Sequence, residues 1–164
     1  MSSTETLLIL SFLSANLIAE NQRLAELAGQ DYLTGIGNHR ALANYVTRQA
    51  TSDKRSFVVV DADNLKQVND QYGHAAGDEF LKAVAAMIRS ESDAVFRRSG
   101  DEFVIVLGGG INAAIAVAER LSKTLVNVQG LGEVGQVSAG AGVTETEADM
   151  AMYAVKQGKK CEAH

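Results

Sequence analysis

The sequence predicts an α/β fold of the α+β kind, in which helices flank a central mixed β-sheet of about five strands and a helical extension precedes it. With 164 residues, the chain is about one domain long and can bury a core. A composition of 46% hydrophobic and 21% charged residues is typical of an ordinary globular protein. Strand-like and helix-like segments follow one another in the order β-α-α-β-β-α-β-α, which favours a sheet with helices on its faces.

The first predicted element is a helix over residues 6–28, which Gly29 ends. Its apolar seam recurs at steps of three and four residues and comprises Leu10, Leu13, Leu17, Leu24 and Leu27. This seam either packs on the chain's own domain or pairs with a second copy as a short coiled coil. We therefore divide the chain into an N-terminal amphipathic helix over residues 1–29, a candidate dimerisation helix, and a main domain over residues 30–164.

The remaining elements are predicted from the spacing of apolar residues. Helical periodicity covers residues 41–50, 65–72, 76–90, 111–126 and 147–156. Short apolar runs predict strands over residues 57–60, 94–98, 103–107 and 136–142. A turn at residues 99–102 joins the second and third of these strands into a hairpin.

Charge and cysteine content restrict the function classes. A net charge of −5 argues against general nucleic-acid binding, which draws affinity from phosphate neutralisation. The single cysteine, Cys161, cannot form an internal disulfide and fits a reducing compartment. The apolar stretch 6–19 is shorter than the ~20 residues that span a bilayer, and no positive charge precedes it. We expect a cytoplasmic protein without a membrane span in this chain. An upstream sensor domain or a partner is compatible with this expectation.

Two acidic clusters lie at the ends of apolar strands. Asp61 and Asp63 follow the first strand, and Asp101 and Glu102 precede the third. A carboxylate beside a buried strand costs free energy unless a metal ion or hydrogen bonds compensate it. The clusters therefore predict one divalent-cation site for phosphoryl chemistry, provided that the hairpin joins the sheet of the first strand. A solvated turn or a helix cap is the alternative for the first cluster.

Four segments resemble motifs of one protein family. Residues 99–103, Ser-Gly-Asp-Glu-Phe, resemble the Gly-Gly-Asp/Glu-Glu-Phe signature of bacterial diguanylate cyclases. Residues 61–78 resemble the family's Asp-x-Asp-x-Phe-Lys-x-x-Asn-Asp-x-x-Gly-His-x-x-Gly-Asp run, while residues 31–40 and 148–156 resemble its entry and C-terminal segments. The chain is identified as a member of the GGDEF-domain family from this resemblance. It implies a nucleotidyl-cyclase/GGDEF-like fold, a GGDEF-like catalytic domain, and condensation of two GTP into cyclic di-GMP and two pyrophosphates across a homodimer.

The resemblance also implies a metal site. Asp61, the carbonyl of Ala62, Asp101 and Glu102 would hold Mg²⁺ or Mn²⁺. Asp61, Lys66, Asp101 and Glu102 would be the catalytic residues, with Glu102 acting as a metal ligand or as the base that deprotonates the attacking hydroxyl.

Further residues resemble the family's nucleotide-binding positions. The amides of Asn64 and Leu65 would meet the terminal phosphates and Lys66 would neutralise them, which agrees with the anion affinity of helix N-termini. Lys156 and Lys160 lie at i and i+4 on one helix face and would meet the phosphate tail. Lys159 is the alternative to Lys160.

Asn69 and Asp78 resemble the pair that reads guanine. A carboxylate accepts from N1–H and the 2-amino group of guanine together, whereas adenine offers no such pair, so GTP is favoured over ATP. The alternatives are a turn-satisfying role for Asn69 and a helix-dipole role for Asp78.

Ser99 stands where the family signature has its first glycine. Gly100 would let the nucleotide approach closely, but a φ above zero at position 99 would cost of order 1–3 kcal/mol. A catalytically degenerate GGDEF-like module that binds GTP or a partner is therefore the main alternative to a cyclase, and a cyclase with a mixed or mononucleotide product is a third. The family's product-inhibition site is an Arg-x-x-Asp motif. In this chain the corresponding positions are Ser90 and Asp93, so the arginine is missing and feedback inhibition is expected to be weak.

Overall fold

The computed structural model describes residues 3–48 and 55–162, which form six helices and five strands. The helices are α1 (Ser3–Leu27), α2 (His39–Arg48), α3 (Leu65–Tyr72), α4 (His74–Arg89), α5 (Ile111–Ser122) and α6 (Glu145–Glu162). The strands are β1 (Ser56–Ala62), β2 (Val95–Ser99), β3 (Glu102–Leu107), β4 (Leu125–Val128) and β5 (Gly132–Gly142).

The strands form a single sheet in the order β2-β3-β1-β5-β4. The predicted central sheet of about five strands with flanking helices is confirmed. The expectation of a mixed sheet is wrong, because every neighbouring pair is antiparallel. The hairpin places β3, rather than β2, beside β1, and β5 separates β4 from β1, so strands of the same direction never become neighbours.

Strand β4 lies partly where the sequence pattern predicted a helix. The helix predicted over residues 111–126 ends at Ser122, and Leu125–Val128 forms an edge strand on β5. Val126 and Val128 are buried while Asn127 between them is exposed, which is the period of a strand. Four residues are too few for this period to outweigh the preceding helical pattern.

Helices cover both faces of the sheet. Helices α3, α4 and α5 pack over one face, whose core includes Val58, Val60 and Phe103. Helices α2 and α6 pack over the other face, around Val59 and Val104. The sheet core is thereby closed to solvent on both sides.

Helix α6 approaches β5 unusually closely because glycines face it. A Cβ atom at Gly140 would lie 1.9 Å from the backbone nitrogen of Met152, and one at Gly142 would lie 2.4 Å from that of Ala148. This close packing brings the C-terminal half of α6, with its lysines, to the end of β1.

Helix α1 leaves its apolar seam uncovered. The five seam leucines are between 51% and 64% exposed, so the interpretation in which the seam packs on its own domain does not hold in the single chain. Among the described residues, no helix combines the length and apolarity that crossing a bilayer requires.

Candidate active site

The two acidic clusters meet where β1 pairs with β3. Asp61 of β1 is 6% exposed and is the register partner of Glu102 in β3, so both side chains lie on the same face of the sheet. The carbonyl oxygen of Asp101 accepts a hydrogen bond of 2.9 Å from the amide of Ala62. The hairpin therefore joins the sheet of the first strand, as the cation-site prediction required.

Asp61 forms an ion pair with Lys156 of α6, whose Nζ donates to Oδ1 at 2.6 Å. Burial raises the pKa of Asp61, and Lys156 opposes this shift while Asp101 and Asp63 add to it. Burial lowers the pKa of Lys156, but the hydrogen bond and charge of Asp61 outweigh it and the net shift is upward. The carboxylate thus lies in an environment that calls for a nearby cation, and the ammonium group of Lys156 supplies one.

The oxygen donors near Asp61 fit a hard divalent cation, although they do not form a preformed cage. Carboxylates and carbonyls suit Mg²⁺, which keeps several water or phosphate ligands of its own. Within residues 3–48 and 55–162, no three acidic, histidine or cysteine side chains converge as a metal cluster. The oxygen donors present therefore suit a hard cation that keeps several ligands of its own.

The conformation of Ser99 removes the strain expected from the missing glycine. Asn64 is the only non-glycine residue with a positive φ in the described part of the chain, so Ser99 needs no glycine. Its side chain is exposed, and its Oγ donates a 2.8 Å hydrogen bond to Oε2 of Glu102. Gly100 takes a φ of +27° and supplies the turn.

Arg98 also binds Glu102, and the sequence pattern did not predict this contact. The register shifts between Arg97 and Ser99, which leaves Arg98 as the extra residue of a bulge. Its guanidinium contacts Glu102 at 3.1 Å and pairs with Glu145 and Asp149 of α6. Glu102, a predicted metal ligand, is therefore engaged by its own hairpin.

Arg97 fixes the signature turn from the other side. Its Nη1 donates to both carboxylate oxygens of Asp31 at 3.1 and 3.2 Å, and its Nε and Nη2 donate to the carbonyl of Gly100 at 2.9 and 2.7 Å. Arg97 and Arg98 are adjacent and directly precede the acidic turn, and this pair is the sequence feature that could have indicated that arginines hold the turn and Glu102.

The predicted phosphate-binding residues lie at the start of α3. Asn64 precedes the helix with φ 62° and ψ 26° and makes no side-chain capping bond, so it leaves the first amides of α3 uncapped. Lys66 is exposed and forms no ion pair with any described residue. This corner presents N–H groups and one free ammonium group, which suits an anion.

The predicted guanine readers occupy facing helices. A Cβ at Gly77 would lie 1.9 Å from Oδ1 of Asn69, so the Asn69 side chain lies against α4 next to Asp78. Asp78 is exposed, and neither side chain has a hydrogen-bond partner among the described residues. Because α4 begins at His74, Asp78 lies beyond its first turn, where the dipole explanation is weak.

The two C-terminal lysines differ in position. Lys159 Nζ donates to Oδ2 of Asp63 at 2.9 Å and to the carbonyl of Val137 at 2.6 Å, which directs it to the sheet rather than to a phosphate. The backbone of Lys160 belongs to α6, but its side chain lies outside the described part of the structure. Its phosphate contact stays a prediction.

Comparison with other sequences finds a matching family model and similar proteins. A family model described as "Diguanylate cyclase, GGDEF domain" matches residues 28–161. The diguanylate cyclase DgcS of Shewanella oneidensis is 34% identical over 98% of this chain and 60% of its own length. The cyclic di-GMP phosphodiesterase PdeR of Escherichia coli is 35% identical over 84% of this chain and 24% of its own length. The chain therefore spans 60% or less of the length of these relatives.

Solved structures share the fold. The coiled coil and GGDEF domain of DgcB from Caulobacter crescentus, in complex with c-di-GMP, has a TM-score of 0.65 and 23% identity over 96% of both chains. The diguanylate cyclase SiaD of Pseudomonas aeruginosa, in complex with its activator SiaC, has a TM-score of 0.65 and 25% identity over 94% of this chain and 68% of its own. With the family match over almost the whole main domain and the motifs in place, the chain belongs to the diguanylate cyclase GGDEF-domain family.

Proposed function

We propose that the protein is a Mg²⁺-dependent diguanylate cyclase that condenses two GTP into cyclic di-GMP and two pyrophosphates at a homodimer interface. The observation that carries this proposal is the juxtaposition of Asp61, Lys156 and Glu102 at the end of β1. A buried carboxylate with its own lysine, opposite a second carboxylate, matches the charge pattern of a metal–triphosphate site. Cys161 and the GTP substrate fit an assignment to the cytoplasm.

In this function the chain mainly binds and orients its substrates. The amides of Asn64 and Leu65 bind the terminal phosphates, and Lys66 with Lys156 neutralises them. Asn69 and Asp78 orient the guanine, while Gly100 leaves room for the nucleotide above the hairpin.

The reacting groups come from two protomers. Each protomer presents one GTP, and the 3′-hydroxyl of one nucleotide attacks the α-phosphate of the other. Mg²⁺ bound by Asp61, the Ala62 carbonyl, Asp101 and Glu102 would supply charge stabilisation for the phosphoryl group. On GTP binding, Lys156 exchanges its contact with Asp61 for one with phosphate.

The test is a product assay. Purified protein is incubated with GTP, ATP and Mg²⁺, separately and mixed, and the products are identified by chromatography, with Asp101→Ala as the control. Cyclic di-GMP from GTP alone, lost in the variant, supports the proposal. A mixed product would instead support the cyclase with relaxed purine choice.

A degenerate, GTP-binding regulatory module is the second candidate, and one observation favours it. Two of the predicted metal-binding side chains already have partners within the protein: Asp61 is bound by Lys156, and Glu102 by Arg98 and Ser99. A folded dimer that binds GTP but forms no product with Mg²⁺ or Mn²⁺ would establish this alternative.

A further inference from the structure

Three side chains from three elements meet behind the phosphate-binding corner. Ser138 Oγ lies 2.9 and 2.8 Å from the two carboxylate oxygens of Asp63 and donates one hydrogen bond shared between them, while Lys159 Nζ donates to Oδ2 at 2.9 Å. Lys159 also donates to the carbonyl of Val137 at 2.6 Å. We call Asp63, Ser138 and Lys159 the Asp63 clasp.

The clasp provides what a buried carboxylate needs. The Asp63 side chain is 10% exposed, and an ionised carboxylate at such a position is costly unless a cation and hydrogen bonds compensate it. Ser138 supplies a hydrogen bond, and Lys159 supplies a second hydrogen bond together with the cation. Lys159 reaches this point because Gly140 lets α6 lie directly on β5.

The clasp acts on the residue that begins the phosphate-binding corner. Asn64 follows Asp63 directly and is held in a left-handed conformation, with φ 62° and ψ 26°. Such a conformation is unfavourable for a residue with a Cβ and persists only when its surroundings hold it. Asp63 is held through its side chain by the clasp and through its amide, which donates to the carbonyl of Gln136 at 3.0 Å.

We propose that Lys159 and Ser138 are positioning residues for the triphosphate: by holding Asp63, they keep Asn64 left-handed and aim the first amides of α3 at the terminal phosphates. This assigns Lys159 a role distinct from phosphate contact. The proposal rests on the proposed function for its ligand, whereas the effect on Asn64 is measurable without any nucleotide.

The test compares four variants of the full chain. Lys159→Met removes the cation, and Lys159→Arg restores it. Ser138→Ala removes one hydrogen bond of the clasp and leaves both charges. This third variant keeps the test informative if Lys159→Met folds poorly. Lys123→Met is the matched control, since Lys123 is exposed and has no ion pair among the described residues.

Two measurements are made on each variant. Without nucleotide, exchange of the Asp63 and Val68 amide hydrogens, which are bonded to the carbonyls of Gln136 and Asn64, is expected to rise at least about fivefold in Lys159→Met and less in Ser138→Ala. Affinity for a non-hydrolysable GTP analogue with Mg²⁺ is expected to fall about tenfold in Lys159→Met, while affinity for GMP, which lacks the terminal phosphates, stays within about twofold. Lys159→Arg should restore both values and Lys123→Met should change neither.

Unchanged exchange of the Asp63 and Val68 amides overturns the proposal. An equal loss of affinity for GMP and the triphosphate analogue also overturns it, because that pattern indicates general destabilisation. Wild-type protein that binds neither nucleotide refutes the proposed function instead. The exchange comparison then still decides whether the clasp holds Asn64.

Discussion

At the scale of single residues, Asp61 is where stability and the proposed chemistry oppose each other. A carboxylate at the end of a buried strand must stay ionised to bind a cation, yet its burial raises its pKa above the ordinary value of 3.8. The ion pair with Lys156 offsets only part of this effect. The ionised Asp61 side chain therefore lowers the free energy of unfolding, and a nucleotide-bound metal ion would remove this destabilisation.

Replacing Asp61 by Asn should separate stability from activity. The raised pKa means that the folded state holds the Asp61 proton more tightly than the unfolded state, so this contribution to stability is present at low pH and is lost as pH rises through the folded pKa. Asn does not titrate, so the free energy of unfolding of Asp61→Asn should exceed that of wild type increasingly from acidic to neutral pH. Cyclase activity should fall at least about a hundredfold.

Urea unfolding between pH 4 and pH 7 measures the stability difference, and the product assay measures the activity. Glu119→Gln, on the exposed side of α5, is the control and should change neither. A variant less stable than wild type at neutral pH would contradict the prediction.

Ser99 is the second residue whose role can be tested by a single change. Because its φ is not positive, Ser99→Gly relieves no strain and removes one hydrogen bond to Glu102. One such bond is worth about 1 kcal/mol, so kcat/KM should change by less than about tenfold in either direction. Steady-state kinetics measure this change. If the wild type is inactive and Ser99→Gly is active, Ser99 is the residue that makes the domain catalytically degenerate.

At the scale of elements, helix α6 organises the site. It carries Lys156 to Asp61, Lys159 to Asp63, and Glu145 with Asp149 to Arg98. The helical period and the resemblance of its segment to the family predicted this element and its first lysine. Its closeness to β5 could not be predicted, because Gly140 is an inconspicuous strand glycine until the helix that covers it is known.

Gly140→Ala should push α6 away from β5. The added Cβ would lie 1.9 Å from the Met152 nitrogen, a backbone atom that cannot move alone, so we expect a loss of about 1–3 kcal/mol in the free energy of unfolding. Weaker binding of the GTP analogue should accompany it, since both lysines move with the helix.

Gly158→Ala provides the matched control within α6. A Cβ at Gly158 meets nothing within 4 Å, and alanine favours helices over glycine by roughly 0.5–1 kcal/mol, so this variant should be neutral or more stable. Chemical denaturation compares the two variants directly. Equal stability of Gly140→Ala and wild type would show that α6 does not depend on this contact.

At the scale of the whole molecule, the uncovered seam of α1 bears on assembly. Leu10, Leu13 and Leu17 continue a heptad pattern in which Leu24 and Leu27 are also seam positions, and all five are exposed. Pairing with a second copy would bury this seam and supply the second protomer that the proposed reaction needs.

A double variant, Leu13→Glu with Leu17→Glu, should weaken self-association at least about tenfold, because it brings four like charges together in the seam of a parallel pair. Sedimentation across a concentration series measures the association. Ser11→Glu, one position off the seam, is the control and should associate like wild type. A double variant that associates as tightly as wild type would place the dimer contact elsewhere.

The sequence by itself determined the family and the identity of most elements, and it supplied the residues of the candidate site as a prediction. This was so because β-branched runs, helical periods and polar landmarks such as Asp61, Asn69 and Asp78 are local or evenly spaced patterns. The tertiary structure decided the antiparallel pairing, the φ of Ser99 and the division of labour among the lysines. These properties depend on which strand lies beside which and on how closely α6 approaches β5, and no local pattern encodes such distances.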